Sequence, residues 1–506
     1  MALSERVKGV ALTYVFMFLR NGVAILIIPF VIAKVGISYY GVFSLVASII
    51  GYLLVIELGL SSTSVRFLSK YLEEGDKNKE SIFLGKIISL YFVITLVSMM
   101  AAFVFYLFID SVFSSSFAYE ELLLLKSLYV VLAVNIAITL LTNSLTGIII
   151  SRERFGFLKT LDIFSFLVRT ALVLIFLSCD FGVFAIVLID TLVNLTCGLA
   201  KFFYVSRYID IRIKFWWDGF LLKEIMVYGF FISLNVVVNQ INWRVDSFIL
   251  GAVADSSSVA IYNIGLQFVL AYISVAAAIT NVFLPRFVSL VEKGVGSDLL
   301  TEHLIKIGKY QFVMLGFFIV SYAALGYQFI LLLFGEGFYL SFLSSIIVMV
   351  PFTLVLIQGA AGCILQAMNL HKVKSIILLV FAFFNIIISI YLAKKYGVVG
   401  VAIGTAVSLV LGDIVVMGFY LHRYVGLNMI LFYKKNISVL FVIAFVLISF
   451  YWVRPFVDGW ISFVAVCISI NLVYAFLVWF FVFNSKDKKY LSSIICAIYH
   501  RYFKSV

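Results

Sequence analysis

The sequence predicts an all-α polytopic membrane protein of about fourteen transmembrane helices, two parallel six-helix repeats followed by two additional C-terminal helices. Three observations carry this. Hydrophobic residues make up 64% of the 506 and charged residues only 12%, against roughly 45–50% apolar and about 25% charged in a soluble domain. Apolar stretches recur from residue 9 to residue 484, each near the length of about 20 residues that spans hydrocarbon. The chain also aligns with itself at an offset of 215 residues.

Taken in order, the spans fall near 9–33, 39–60, 82–109, 121–149, 161–178 and 183–205. A second series lies near 226–250, 258–284, 309–334, 341–367, 375–393 and 398–421. The added pair lies near 437–453 and 460–484. Arg20 and Asn21 stand at the centre of the first stretch and no small-residue cleavage site follows it, so it reads as a retained span, not a signal peptide. Beyond residue 484, Leu491, Ile494, Ile495 and Ile498 share one helical face. Residues 485–506 therefore read as a cytoplasmic tail, either an interfacial helix or a frayed positive end.

Basic residues orient the spans. With the N-terminus in the cytoplasm, cytoplasmic segments hold 28 of the 37 Lys and Arg, while Lys34, Lys394, Lys395 and Arg454 fall outside. Both termini are thus placed in the cytoplasm, and the net charge of +12 faces anionic lipid headgroups rather than nucleic acid. External loops stay short, which argues against an enzyme: acid, base and metal ligands would have no domain to occupy. The cysteines Cys179, Cys197, Cys363, Cys467 and Cys496 show no disulfide or metal spacing, so neither a metal nor any other cofactor is expected.

The internal repeat is legible at four places. TGIIISRERFGFLK aligns without gaps on AGCILQAMNLHKVK, matching Gly147 with Gly362 and Lys159 with Lys374, 215 residues apart. Phe181-Gly182 matches Tyr396-Gly397 at the same offset, and RFLS from Arg66 matches RFVS from Arg286 at 220. A period of six helices enters the membrane in one direction each time, so the expected organisation is an N lobe (1–210), a C lobe (211–425), the added pair (426–484) and the tail (485–506). Two such lobes place a substrate path near the midplane.

An ionisable group at mid-bilayer costs about 2.5–3.5 kcal/mol on insertion scales, so each needs a reason. Arg20 with Asn21 sits mid-helix 1. Arg169 lies halfway along helix 5, with Asp162 two turns earlier as a candidate partner; a structural ion pair and a functional group are equally open readings. Helix 7 carries Asn235, Asn239, Asn242 and Asp246 along one face, with Gln240 and Arg244 beside it. Lys126 near the outer end of helix 4 can serve the path or snorkel to the interface. The stripe Asn135, Thr139, Thr142 and Thr146 on helix 4 suits helix–helix adhesion. The basic groups outnumber any acidic pair that could hold Na⁺, which favours an anionic cargo such as a diphosphate bound in a cationic cavity formed by Arg20, Asn21, Arg169, Arg244, Asn235, Asn239, Asn242, Asp246 and Lys126.

The segments FLRNGVAILIIPFVIAKVGISYYGVFSLV, ELGLSSTSVRFLSKY, VDSFILGAVADSSSVAIYNIGLQF, VFLPRF and YGVVGVAIGTAVSLV resemble, in order, those of the Wzx-type polysaccharide (O-antigen or repeat-unit) flippases of the multidrug/oligosaccharidyl-lipid/polysaccharide exporter superfamily. The resemblance implies an undecaprenyl-diphosphate-linked oligosaccharide, moved by alternating access from the inner to the outer leaflet of the bacterial cytoplasmic membrane, as in lipopolysaccharide biosynthesis. Arg20 matches the family's membrane-embedded arginines by position; Arg169 and Arg244 fit by character. It further implies membrane lipids, a polysaccharide polymerase and a chain-length regulator as partners. An inside-negative potential favours outward movement of anions by about 2.3 kcal/mol per charge per 100 mV; coupling to that potential or to an H⁺ or Na⁺ gradient stays open. A cation-coupled multidrug exporter of the same superfamily is the second reading, and a membrane glycan polymerase or transferase the third.

Overall fold

The structure, a computed structural model, describes residues 2–57, 59–215, 219–368, 370–450, 457–485 and 487–489. It is helical throughout, with no strand among the described residues: α1 (Ala2–Val35), α2 (Ile37–Leu53), α3 (Leu60–Glu74), α4 (Lys77–Phe113), α5 (Tyr119–Ser151), α6 (Phe155–Ser178), α7 (Gly182–Tyr208) and α8 (Gly219–Val253). There follow α9 (Ser256–Glu292), α10 (Ser297–Phe334), α11 (Tyr339–Ile357), α12 (Gly359–Ala367), α13 (His371–Leu409), α14 (Met417–Arg423), α15 (Met429–Phe450) and α16 (Trp460–Leu477). Helices are forced here because a backbone in hydrocarbon must satisfy its own hydrogen bonds. The chain is a multi-pass membrane protein. The tail expected over 485–506 lies, beyond residue 489, outside the described residues.

Twelve described stretches are long and apolar enough to cross a membrane, against the fourteen expected. One of them, Lys372–Arg423, runs for 52 residues, about 78 Å if straight, where hydrocarbon is about 30 Å thick. It reverses at Gly397, whose φ of 56° and ψ of −129° suit glycine rather than other residues. The two arms lie back to back: a Cβ on Gly400 would overlap the Leu392 carbonyl, and Asn385 Nδ2 reaches Thr405 Oγ1 at 3.4 Å. That stretch therefore holds both spans read near 375–393 and 398–421. The 35-residue α8 is not among the twelve.

Contacts divide the chain into two compact units. The first comprises Met1–Gln267 with Leu378–Thr405, the second Phe268–Ile377 with Ala406–Val506. In the first, α5 packs against α2, α3, α4 and α7, and α1 against α6. Its core closes over Leu45, Leu60, Phe83, Tyr91 and Tyr129, each fully or nearly fully buried. The second span is not one helix. It breaks into a 3-10 turn over Leu54–Glu57, and Gly59 at φ 64° redirects the chain into α3.

In the second unit α10 is the hub, packed by α11, α15 and α16. Two glycines let aromatic rings seat on it. A Cβ on Gly308 would meet the Phe432 ring at 2.5 Å, and one on Gly316 would overlap the Tyr474 hydroxyl. Tyr474 donates to the Val313 carbonyl at 3.2 Å, and Asn471 to Ser321 at 2.8 Å. Farther along, Lys309 donates to Asp487 at 2.9 Å. The last helix and the segment after it are thus fastened to α10 by named polar contacts, and α15 by the Phe432 ring.

Candidate functional site

Arg169 does not pair with Asp162. Its Nε lies 2.6 Å from Asp190 Oδ1 on α7, an ion pair whose N–H axis is not aligned for a hydrogen bond. Asp162 is taken by Lys159, one turn away at 3.0 Å. Packing of α6 on α7 supplies the acid that sequence spacing sought within one helix.

Lys126 is likewise paired. It contacts Asp110 Oδ2 at 2.5 Å, with the Tyr106 ring 5.9 Å away. The polar stripe of α5 is adhesive: Asn194 of α7 donates to Asn135 Oδ1 at 2.8 Å and Thr139 Oγ1 at 2.7 Å, and Asn135 donates to Thr191 at 3.2 Å. Ion pairs at the helix ends, Lys34 with Asp180 and Arg152 with Glu80, join residues that the sequence puts on the same membrane side.

Of the three arginines predicted to line the cavity, Arg20 and Arg244 have no carboxylate partner among the described residues. Arg20 is exposed on α1, and Asn21 beside it is half-buried. Arg244 is half-buried and donates to the Ala47 carbonyl of α2 at 3.0 Å. Its side chain lies across Gly51, where a Cβ would come within 3.0 Å of Nε. Arg20 and Arg244 are near enough for their like charges to repel. No ion pair joins either of them to an acid among the described residues. The Tyr52 hydroxyl lies within electrostatic reach of both Arg244 and Asp246 and has no hydrogen-bond partner among the described residues. Asn242 is half-buried; the side chains of Asn235 and Asn239 lie outside the described residues.

Asp246 is held in a buried polar knot. Its Oδ2 accepts from Tyr262 at 2.5 Å and from Thr405 at 2.6 Å, and Ser389 and Asn385 complete the surroundings. Only 1% of Asp246 is exposed, and its Oδ1 has no partner among the described residues. A carboxylate so placed must be matched by donors or by an ion, because burying it alone is costly. Sequence reading found Asp246 but not Tyr262, Asn385, Ser389 or Thr405, which no spacing connects to it. The structure places Glu57 in the break of helix 2, accepting from Tyr91 at 3.0 Å and Asn143 at 3.3 Å.

The charges of these helices contrast with an apolar cavity of about 730 Å³ between α10, α11 and α15 in the second unit, lined by Phe312, Ile319, Val350, Leu440 and Ile443 among others. Its polar lining residue, Thr353, is already bonded to Tyr272 at 2.8 Å. No group of three or more metal-ligating side chains occurs among the described residues.

Comparison with known proteins places this arrangement. The family model described as polysaccharide biosynthesis protein matches residues 6–291. The chain belongs to the polysaccharide biosynthesis protein family. Among relatives of this family member, the uncharacterized membrane protein EpsK of Bacillus subtilis (strain 168) is 22% identical over 483 residues, 91% of this chain and 92% of that protein. Among solved structures, a lipid II flippase MurJ in an inward closed conformation superposes with a TM-score of 0.73 at 18% identity, covering 93% of this chain and 98% of that one. An inward-facing multidrug resistance MATE family transporter of the MOP superfamily gives 0.60 at 17%, covering 82% and 95%. The chain thus shares the fold of these two proteins.

Proposed function

We propose that this protein is a lipid-linked oligosaccharide flippase of the bacterial cytoplasmic membrane, carrying an undecaprenyl-diphosphate-linked repeat unit from the inner to the outer leaflet. The observation that supports it most is the pair of like charges at Arg20 and Arg244 with no acid paired to either among the described residues. Two guanidinium groups held near each other in an apolar helical protein are stabilised by a multivalent anion, and a diphosphate suits their forked donors. Membership of the polysaccharide biosynthesis family and the fold of a lipid II flippase support the same reading.

In this reading residues 1–210 and 211–425 are the lobes that alternate access, and 426–484 is an addition fastened to α10. The termini face the cytoplasm, as the distribution of Lys and Arg favours. Asn21, Asn242, Asn235 and Asn239 supply neutral hydrogen bonds to the cargo, while Arg169 and Lys126, already paired, contribute at most once those pairs open. Asp246, with one free carboxylate oxygen, is the group at which an H⁺ or Na⁺ gradient would couple; membrane potential is the other drive. The protein performs no chemistry on the glycan and hands it to a polymerase and chain-length regulator, for O-antigen or another surface polysaccharide.

The buried carboxylate of Asp246 favours a second reading, a cation-coupled multidrug exporter. Deletion separates the two. Loss of surface polysaccharide with accumulation of a lipid-linked intermediate is expected for the flippase; drug sensitivity with normal polysaccharide supports the exporter. Arg20→Ala should abolish surface polysaccharide while the protein still reaches the membrane, and Arg20→Lys should be milder. Normal polysaccharide in the Ala variant removes Arg20 from the mechanism.

A further inference from the structure

In the repeat α8 opens the second copy, yet it packs on α2 of the first, and both belong to the first compact unit. Glycines line the seam from both sides. At the end of α2 that the Lys and Arg distribution places outside, a Cβ on Gly41 would overlap the carbonyl of Ser256, where α9 begins. Ser38 Oγ stands 3.2 Å from Ser257 Oγ at the same level. The turn between α4 and α5 clasps this end: Ser116 donates to the Ala252 carbonyl at 3.0 Å, and Ser256 to Glu121 at 2.8 Å. Farther in, a Cβ on Gly251 would press on the fully buried Leu45 at 2.7 Å. Deepest along the seam, the Arg244 guanidinium crosses Gly51 and donates to the Ala47 carbonyl at 3.0 Å.

That last contact is built for a guanidinium. Ala47 and Gly51 are four residues apart and so share one face of α2. With only a methyl and a hydrogen there, they form a notch through which a side chain reaches a carbonyl in mid-helix. The three atoms nearest a Cβ built at Gly51 are all Arg244's, between 3.0 and 3.3 Å away. Position 51 is therefore kept small by Arg244 and not by the α8 backbone. The bond itself is modest. Inside a helix the Ala47 carbonyl already serves the amide four residues on, so Arg244 takes its second lone pair. Among the described residues this is the one hydrogen bond Arg244 makes, and most of its five donors stay unused.

We propose that Arg244 is the bolt of an outer gate: seated in the Ala47–Gly51 notch it holds α8 against α2, and a bound diphosphate draws it out and frees the seam to open. A guanidinium and an ionised phosphoryl oxygen add charge attraction and bidentate geometry that a neutral carbonyl lacks. Cargo and α2 thus compete for one side chain. The bond that closes the gate in the empty protein is the bond that cargo consumes, so opening follows loading. The contacts left at the outer end are between hydroxyls, backbone and Glu121, with no further cation to unseat. The gate rests on the flippase reading for its ligand.

The test traps the gate. Full-length protein carrying Ser38→Cys and Ser257→Cys is oxidised in phosphatidylcholine nanodiscs, and the joined peptides are quantified by mass spectrometry. The disulfide should form readily in the empty protein, where the two hydroxyl oxygens already stand 3.2 Å apart. Undecaprenyl diphosphate should slow its formation about tenfold, the worth of one charge-assisted hydrogen bond, whereas undecaprenol, the tail without charge, should not. Linkage demands the reverse effect in equal measure: by tryptophan fluorescence, the oxidised protein should bind undecaprenyl diphosphate about tenfold more weakly than the reduced one. Arg244→Ala should bring disulfide formation in the empty protein down to the ligand-bound rate. Gly51→Ala crowds the notch but keeps the guanidinium, so it should slow the disulfide a few fold and tighten diphosphate binding by a similar factor. A merely destabilised protein binds no tighter, and melting temperatures confirm that each variant is folded. Equal affinity of oxidised and reduced protein, or a wild-type rate in Arg244→Ala, overturns the gate. Slowing by undecaprenol as great as by the diphosphate overturns it too. No binding of undecaprenyl diphosphate to the reduced protein overturns the flippase reading itself. Binding that leaves disulfide formation unchanged spares that reading and removes this inference alone.

Discussion

Replacing Asp487 tests how the last helix is held. Lys309 and Asp487 are each only 13% exposed at the side chain, and their charges meet at 2.9 Å. Asp487 also accepts from the Tyr310 hydroxyl at 3.1 Å and the Asn484 amide at 3.2 Å, while Lys309 has one further acceptor, the Val482 carbonyl at 3.4 Å. Asp487→Ala leaves an ammonium buried beside a single long contact, and breaking a buried pair from one side costs about 3–5 kcal/mol. The double variant Lys309→Met with Asp487→Leu removes both charges and should recover most of that loss. Burial opposes ionisation of Asp487, but the Lys309 ammonium and the Asn484 amide outweigh it and hold its carboxyl below the usual carboxylate range. A carboxyl depressed on folding adds stability above its unfolded value, about 3.9, and loses it as pH falls through the folded value. The gap between wild type and Asp487→Asn should therefore be full at pH 7 and shrink only in that acid window. Detergent-solubilised protein melted across pH, followed by tryptophan fluorescence, gives the measurement. An Asp487→Ala variant as stable as wild type at pH 7, or a double variant worse than the single, would refute the reasoning.

Two further substitutions probe close approaches. Gly316→Ala pushes a methyl into the Tyr474 hydroxyl and should destabilise by about 1–3 kcal/mol; adding Tyr474→Phe should recover part of it in the same melting assay, and no recovery would locate the strain elsewhere. Gly397→Ala forces a side chain onto a φ of 56° and ψ of −129°, a backbone cost of about 1–3 kcal/mol, and should lower the yield of monodisperse protein in size-exclusion chromatography.

Much of the candidate site was visible along the chain, but its pairings were not. Arg20, Arg244 and Asp246 announce themselves because a polar side chain in an apolar stretch is conspicuous wherever the helix points. Their partners are not conspicuous. Asp162 looked right for Arg169 because both lie on one helix face, yet Lys159 is nearer to it along the helix, and Asp190 arrives from α7. The hydroxyls that hold Asp246 come from Tyr262 and Thr405, 16 and 159 residues away, and hydroxyls are too common to mark a site. The span read near 39–60 looked continuous, whereas a 3-10 turn ending at Glu57 and the left-handed Gly59 break it.

The sequence by itself determined that this chain lives in a membrane as a bundle of helices. Apolar length, backbone self-sufficiency and the placement of Lys and Arg are local properties, each readable without knowing any neighbour. Tertiary structure alone decided which charges are spent and which stay free. That choice depends on how far apart two helices lie and how each is rotated, quantities set by side-chain packing over whole surfaces. Lys159 and Lys374 occupy aligned positions in similar sequences, yet one is bonded and the other sits unbonded over Gly362.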